Sequence, residues 1–144
     1  MTALNLLGDG SKADFLITGG WSQKALKEGR RVGDCASIWD GSESGFKTVP
    51  RNGEYEVRDG SDYVHYTSNN TLFGTQYHHT PDTGDVRLVV DASSDICGAP
   101  IDVSAHDVIY AGAQKNIGPA GLTIVIIDRE FMEYGDQNIP NILK

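Results

Sequence analysis

The sequence predicts an α/β fold built on a mostly parallel, mixed sheet with helices on both faces. Three observations support this prediction. Apolar runs recur along the 144 residues and are separated by polar or glycine-bearing segments. One run, Thr123–Ile127, is nearly continuous in β-branched residues, which is typical of a strand covered on both faces. A charged segment with the composition of a surface helix follows the first run, and a strand followed by a helix indicates crossover connections.

The apolar runs predict six strands, at residues 15–18, 35–39, 63–66, 87–90, 108–110 and 122–127. Residues 22–32 predict a helix with Ser22 as its N-cap, because a serine oxygen can accept a hydrogen bond from the first free backbone amides. Residues 40–60 are rich in Gly, Ser, Glu and Asp, so we expect a loop or a short excursion over the surface. Length and a hydrophobic content of 39% allow one core.

Composition argues against several classes of partner. The net charge of -8 is spread along the chain, which argues against binding to nucleic acid or anionic lipid. No apolar run approaches the roughly 18 residues of a membrane span, and the N-terminus lacks the regions of a secretory signal. The expected compartment is the cytoplasm.

Cysteine and histidine spacing predicts no metal site. Cys35 and Cys97 lie far apart without a second ligand beside either, so we interpret both as packing thiols. Four histidines stand at positions 65, 78, 79 and 106, but no carboxylate or cysteine lies at a recognisable ligand spacing from them.

Polar side chains follow the predicted strands in a consistent way. Trp21, Thr71, Asp91 and Lys115 each come after a different run, and parallel strands would gather them at one edge of the sheet, where ligands of such sheets bind. This set suits pyridoxal 5'-phosphate (PLP). Lys115 would hold the aldehyde as a Schiff base and move the α-proton, and Asp91 would keep the pyridine nitrogen protonated. Trp21 would lie against the ring, and Thr71 near the phenolic oxygen.

Each of these residues also has a structural interpretation. Lys115 could be a solvated surface lysine, Asp91 a capping carboxylate, and Trp21 a core residue. Thr71, like Gln114, could satisfy backbone groups in a loop.

The run from Val108 to Thr123, VIYAGAQKNIGPAGLT, closely resembles the cofactor-lysine segment of the phosphoserine aminotransferase family. The likeness extends to residues 5–8, 18–22, 63–71, 91–96 and 100–103, and so covers nearly the whole chain. It implies a fold-type I, class V, PLP-dependent aminotransferase of serine biosynthesis. It also implies a homodimer with active sites at the subunit interface. The substrates would be an amino acid and a 2-oxo acid, phosphoserine and 2-oxoglutarate.

The resemblance also implies roles for five residues. The family residues that match Trp21, Thr71, Asp91, Gln114 and Lys115 contact the ring, the phenolic oxygen, the pyridine nitrogen, the phosphate and the aldehyde carbon, respectively. On this basis Lys115 and Asp91 are the predicted catalytic residues, and all five are predicted to bind the cofactor.

The chain departs from the family in extent. Family members are far longer, and residues 1–144 resemble the central part of the large domain. The resemblance therefore implies that a Gly-Gly-Ala phosphate loop, an Asn-Thr pair reaching the partner subunit and the small C-terminal domain lie outside this chain. Ala99 also stands where the family usually has a basic residue.

Two hypotheses follow from these departures. The first is an aminotransferase fragment that turns over little or no substrate alone. The second is a non-catalytic, truncated relic or interaction module that keeps the fold. Either would expose unpaired sheet edges and tend to self-associate.

Overall fold

The computed structural model describes residues 2–134 and residue 139. Its helices are α1 (Thr2–Leu6), α2 (Gly20–Gly29) and α3 (Arg129–Tyr134). Its strands are β1 (Lys12–Ile17), β2 (Asp34–Asp40), β3 (Tyr63–Thr67), β4 (Asn69–Asn70), β5 (Thr75–Gln76), β6 (Arg87–Asp91), β7 (Val108–Gly112) and β8 (Thr123–Ile127). Within these residues no helix is long and apolar enough to cross a membrane.

Six strands form one mixed sheet in the order β2-β1-β3-β6-β7-β8. The first five are mutually parallel, and β8 runs antiparallel to β7. This confirms the predicted α/β class with a mostly parallel sheet. The short strands β4 and β5 form a separate antiparallel hairpin.

The two faces of the sheet are covered differently. We call one face the helix face. On it, sheet residues such as Phe15, Tyr63 and Val89 form one core with Leu26 of α2 and Phe131 of α3. The opposite face, which we call the loop face, has a core that includes Leu16, Val64, Tyr66, Leu88, Val90 and Ile109. Val49, Tyr55 and Val57, from the segment predicted as a surface excursion, pack on this loop face. The described α-helices lie on the helix face, and loop segments cover the other.

A buried ion pair ties that excursion to the sheet. The side chain of Asp14 on β1 is fully buried. It accepts hydrogen bonds from the Arg58 side chain, from the Arg58 backbone N–H at 2.8 Å and from the Ser61 hydroxyl at 2.9 Å. Arg58 also reaches Asp34 on β2, with 3.1 Å between Nη1 and Oδ1. The excursion is therefore anchored to two strands.

The prediction that Ser22 caps the helix was wrong. The helix α2 begins at Gly20 and ends at Gly29, and Gly19 is its N-cap. Ser22 lies inside the first turn, where its Oγ accepts hydrogen bonds from the N–H groups of Thr18 at 2.9 Å and Gly19 at 3.0 Å. The serine therefore satisfies free amides at the helix start, as expected, but it does so from within the helix.

Two further expectations were wrong in detail. β8 is a strand, but it is not covered on both faces: Val125 is 57% exposed and Ile126 is 40% exposed. Cys35 packs in the core as predicted, and burial raises the pKa of its thiol to about 11. Cys97 is exposed, in a turn where its φ is 62°, so it is not a packing thiol. Spacing along the chain did not reveal this difference in burial.

Candidate functional site

The five predicted site residues lie at one edge of the sheet. Because β1, β3, β6 and β7 are parallel, their C-terminal ends meet at the same edge. Trp21 follows β1 on the first turn of α2, and Thr71 follows β3 in the turn of the β4–β5 hairpin. Asp91 is the last residue of β6, and Gln114 and Lys115 follow β7. The strands of Asp91 and Lys115 are direct neighbours, so the predicted acid and amine belong to adjacent strand ends.

The structure brings Lys115 and Thr71 into contact. Lys115 Nζ donates a hydrogen bond to Thr71 Oγ1 over 3.3 Å, although the two residues are 44 positions apart. Lys115 lies in a turn closed by the carbonyl of Ala113, which accepts from the N–H groups of Ile117 at 3.0 Å and Gly118 at 2.9 Å. The amine and the hydroxyl therefore converge as the sequence predicted.

The turn that carries Thr71 is fixed by a buried network. Asn70 Nδ2 donates to Thr18 Oγ1 at 2.8 Å, and Thr75 Oγ1 donates to the Thr18 carbonyl at 3.1 Å. A Cβ on Gly19 would overlap the side chain of Asn70. Glycine at this position is therefore what lets the hairpin approach the start of α2.

Asp91 sits between two strands on the helix face. Its register partners are Thr67 on β3 and Tyr110 on β7. Its Oδ1 accepts a hydrogen bond from the Ser93 N–H at 3.0 Å, and Ser93 Oγ accepts one from the Gly112 N–H at 3.0 Å. The bond to Ser93 is the local turn contact expected of an aspartate after a strand, and it fixes the carboxylate at the end of β6.

Trp21 and Gln114 are both exposed. Trp21 is 48% exposed, and Lys24 Nζ lies 4.2 Å from its ring centroid. This exposure excludes the core interpretation of Trp21. Gln114 folds back over Gly112, where an added Cβ would lie 2.6 Å from Gln114 Oε1.

A hydrogen-bonded pair beneath Asp91 was not predicted. His65 Nε2 and Tyr110 Oη are 2.8 Å apart. Burial lowers the pKa of His65, and the negative charge of Asp91 opposes that shift. Burial also raises the pKa of Tyr110, and the negative charge of Asp91 is the second largest cause of that increase. One sequence signal could have suggested the pair. His65 lies two residues before the polar end of a buried strand, and residues two apart on a strand point to the same face.

The four histidines are divided between the two faces of the sheet. His106 Nε2 pairs with Tyr66 Oη at 2.7 Å on the loop face, whereas His65 lies on the helix face. In the described part of the chain, no group of three or more His, Cys, Asp or Glu residues could hold a metal ion. A cavity of about 630 Å³ on the loop face is lined by His78, His79 and His106, among others, and none of the five predicted residues lines it.

Comparison with known proteins assigns the chain to a family. The profile described as Aminotransferase class-V matches residues 4–137. The chain belongs to the class-V aminotransferase family. Members of this family are PLP-dependent transferases.

The chain is similar to several class-V aminotransferases that are named as phosphoserine aminotransferases. One from Acinetobacter baylyi is 49% identical over 142 residues, which is 98% of this chain and 39% of that protein. The structure from Bacillus circulans subsp. alkalophilus has a TM-score of 0.94 at 39% identity, covering 99% of this chain and 39% of that one. The PLP-bound structure from Trichomonas vaginalis has a TM-score of 0.82 at 29% identity, covering 95% and 39%. The chain spans about 40% of the length of the curated relatives it matches.

Proposed function

We propose that this chain is the cofactor-holding part of a phosphoserine aminotransferase, which transfers an amino group between phosphoserine and 2-oxoglutarate in serine biosynthesis. The observation that carries the proposal is the convergence of Lys115 and Thr71 beside the strand end of Asp91. The names of the similar proteins support phosphoserine as one substrate, whereas 2-oxoglutarate follows from the family resemblance. The homodimer and the cytoplasmic location remain predictions.

The residues at the sheet edge fit PLP chemically. One edge of the sheet carries an amine, a carboxylate, a hydroxyl and an exposed aromatic ring. Each of these groups could interact with a different part of the cofactor. The side-chain oxygen of Thr67, the register partner of Asp91, is buried and has no hydrogen-bond partner among the described residues. A buried polar atom without a partner costs free energy, so a polar ligand beside it would be stabilising.

PLP, when bound, supplies an electron sink for the substrate α-carbon. In the proposed site Lys115 would hold the cofactor at its aldehyde group, and its free amine would carry a proton to or from the substrate α-carbon. The Asp91 carboxylate would hold a proton at the pyridine nitrogen, and the Thr71 hydroxyl would donate to the phenolic oxygen. Trp21 would pack against the ring, and the Gln114 amide would bind the phosphate.

The decisive experiment asks whether PLP attaches to Lys115. Purified chain is mixed with PLP, and the visible absorption band is recorded before and after borohydride reduction. Mass spectrometry then locates the reduced adduct. We expect a band and an adduct on Lys115, and loss of both in Lys115→Ala. Lys27→Ala is the matched control, because it removes a lysine that lies on α2, outside the proposed site. We expect this variant to retain the band.

Two results would contradict the proposal. A band that survives in Lys115→Ala would show that PLP reacts with other lysines. The absence of any lysine-dependent band would support the non-catalytic interpretation, in which the fold is kept without the chemistry.

A further inference from the structure

A buried histidine and a partly buried tyrosine form a hydrogen-bonded pair on strands that flank the carboxylate of the proposed site. His65 is on β3, Tyr110 is on β7, and β6 with Asp91 runs between them. The 2.8 Å contact between His65 Nε2 and Tyr110 Oη therefore spans the middle strand on the helix face. His65 is itself fixed against the Phe15 ring, with 5.0 Å between the ring centroids.

The register places this pair next to Asp91. Asp91 and Tyr110 are Cα partners on adjacent strands, and His65 is the partner of Val89, two residues before Asp91 on the same face. Side chains two residues apart on a strand point to the same side, so the three polar groups share one face. Asp91 also influences Tyr110 directly: after burial, its charge is the largest cause that raises the pKa of the phenol.

The unpaired nitrogen of His65 indicates the direction of the hydrogen bonds. His65 Nδ1 is buried and has no hydrogen-bond partner in the described part of the chain. A buried N–H without a partner is rarer than a buried acceptor without one, which favours the tautomer with its proton on Nε2. His65 then donates to Tyr110 Oη, and the phenolic proton of Tyr110 is left to point towards Asp91.

We infer that His65 and Tyr110 are positioning residues that orient the Asp91 carboxylate for the pyridine nitrogen of the cofactor. This inference rests on the proposed function, since it assigns Asp91 to that nitrogen. A phenol that donates to a carboxylate stabilises its charged form. The Tyr110 hydroxyl would therefore strengthen the contact that the Asp91 carboxylate makes with the ring nitrogen.

The test compares PLP with its carbocyclic analogue, in which C–H replaces the pyridine nitrogen. Tyr110→Phe removes the hydroxyl and keeps the ring. We expect this substitution to weaken PLP binding about tenfold, the effect of losing a hydrogen bond to a charged group. Binding of the carbocyclic analogue should not change, because the analogue offers Asp91 no nitrogen. A purely structural defect would lower the affinity for both ligands equally.

The loop face provides a matched control. Tyr66 and His106 also form a tyrosine–histidine hydrogen bond, which is buried, with 2.7 Å between Oη and Nε2, on the face of the sheet away from Asp91. Tyr66→Phe should therefore leave the ratio of the two affinities at its wild-type value. Far-UV circular dichroism and thermal unfolding confirm that each variant is folded.

The outcomes separate this inference from the proposed function. If the wild-type chain binds PLP and its carbocyclic analogue equally, Asp91 does not act on the ring nitrogen, and the inference fails while a Lys115-dependent band still supports the proposed function. If the wild-type chain prefers PLP and Tyr110→Phe keeps the full preference, the positioning role alone is overturned. A wild-type chain with no Lys115-dependent band overturns both.

A second measurement needs no cofactor. Long-range nitrogen–proton NMR spectra of isotope-labelled histidine report which ring nitrogen carries the proton, and His65→Gln assigns the signal. We expect the Nε2–H tautomer of His65 in the free chain. The Nδ1–H tautomer would overturn the inference, because Tyr110 would then donate to His65 and not to Asp91.

Discussion

Asp14 illustrates how one buried carboxylate holds a surface loop on the sheet. Solvent does not reach its side chain, and it reaches 30% of the Arg58 side chain that neutralises it. We predict that Arg58→Ala lowers the free energy of unfolding by about 3 kcal/mol, because it leaves a buried charge without its partner. This value is at the lower end of the range for such changes, since Arg58 is partly exposed. Urea unfolding monitored by circular dichroism measures the loss.

Arg31→Ala is the control for that substitution. Arg31 pairs with Glu28 at 3.1 Å, but the two side chains are 66% and 62% exposed. Exposed ion pairs contribute little to stability, so we expect Arg31→Ala to change the free energy of unfolding by no more than about 0.5 kcal/mol. Equal losses in the two variants would show that Asp14 finds another partner when Arg58 is removed.

Asp14 also shows why the burial of a single charged residue is hard to predict from sequence. The first predicted strand began at residue 15, whereas β1 begins at Lys12. A charged residue normally indicates exposure, and only the distant Arg58 makes burial of Asp14 tolerable. The pair of His65 and Tyr110 was missed for a similar reason: it depends on the register of three strands. By contrast, the five residues of the proposed site could be selected from the sequence, because each lies at or after the end of a strand in a segment that resembles the family.

At the scale of elements, β8 is one of the two edge strands of the sheet, and the other is β2. It pairs with β7 and has no second neighbour among the described residues. Exposed apolar edge strands favour pairing with other chains, and a charge on such a strand opposes it. We predict that Val125→Lys reduces self-association with little effect on stability. Size-exclusion chromatography with light scattering at several protein concentrations measures the change.

Met132→Lys is the matched control for β8. Met132 lies on α3 and is 57% exposed, the same as Val125, so both variants add one charge at similarly exposed positions. If the two substitutions reduce association equally, net charge and not the strand edge is responsible. The apolar run predicted the strand itself, but its place at an edge depends on neighbours that no local pattern encodes. The hairpin of β4 and β5 was missed because two-residue strands have no periodicity to detect.

At the scale of the whole molecule, the proposed site joins elements that are far apart in the sequence. Trp21 belongs to α2, Thr71 to a hairpin turn, Asp91 to β6 and Lys115 to the turn after β7. The chain carries a net charge of -8, so an anionic cofactor depends on local cations such as Lys115 at the sheet edge and not on long-range attraction. A ligand that contacts all four elements would stabilise the molecule as a unit.

We therefore predict that PLP stabilises the folded chain through Lys115. A ligand that binds only the folded state at 100 times its Kd adds about 2.7 kcal/mol to the free energy of unfolding. Thermal unfolding with and without PLP should show a rise in Tm for the wild-type chain and a much smaller one for Lys115→Ala. Hydrogen exchange should slow in the hairpin turn of Thr71 and the turn of Lys115, because the ligand links them. An equal rise in Tm for Lys115→Ala, or protection confined to other segments, would mean that PLP stabilises the chain from a different site.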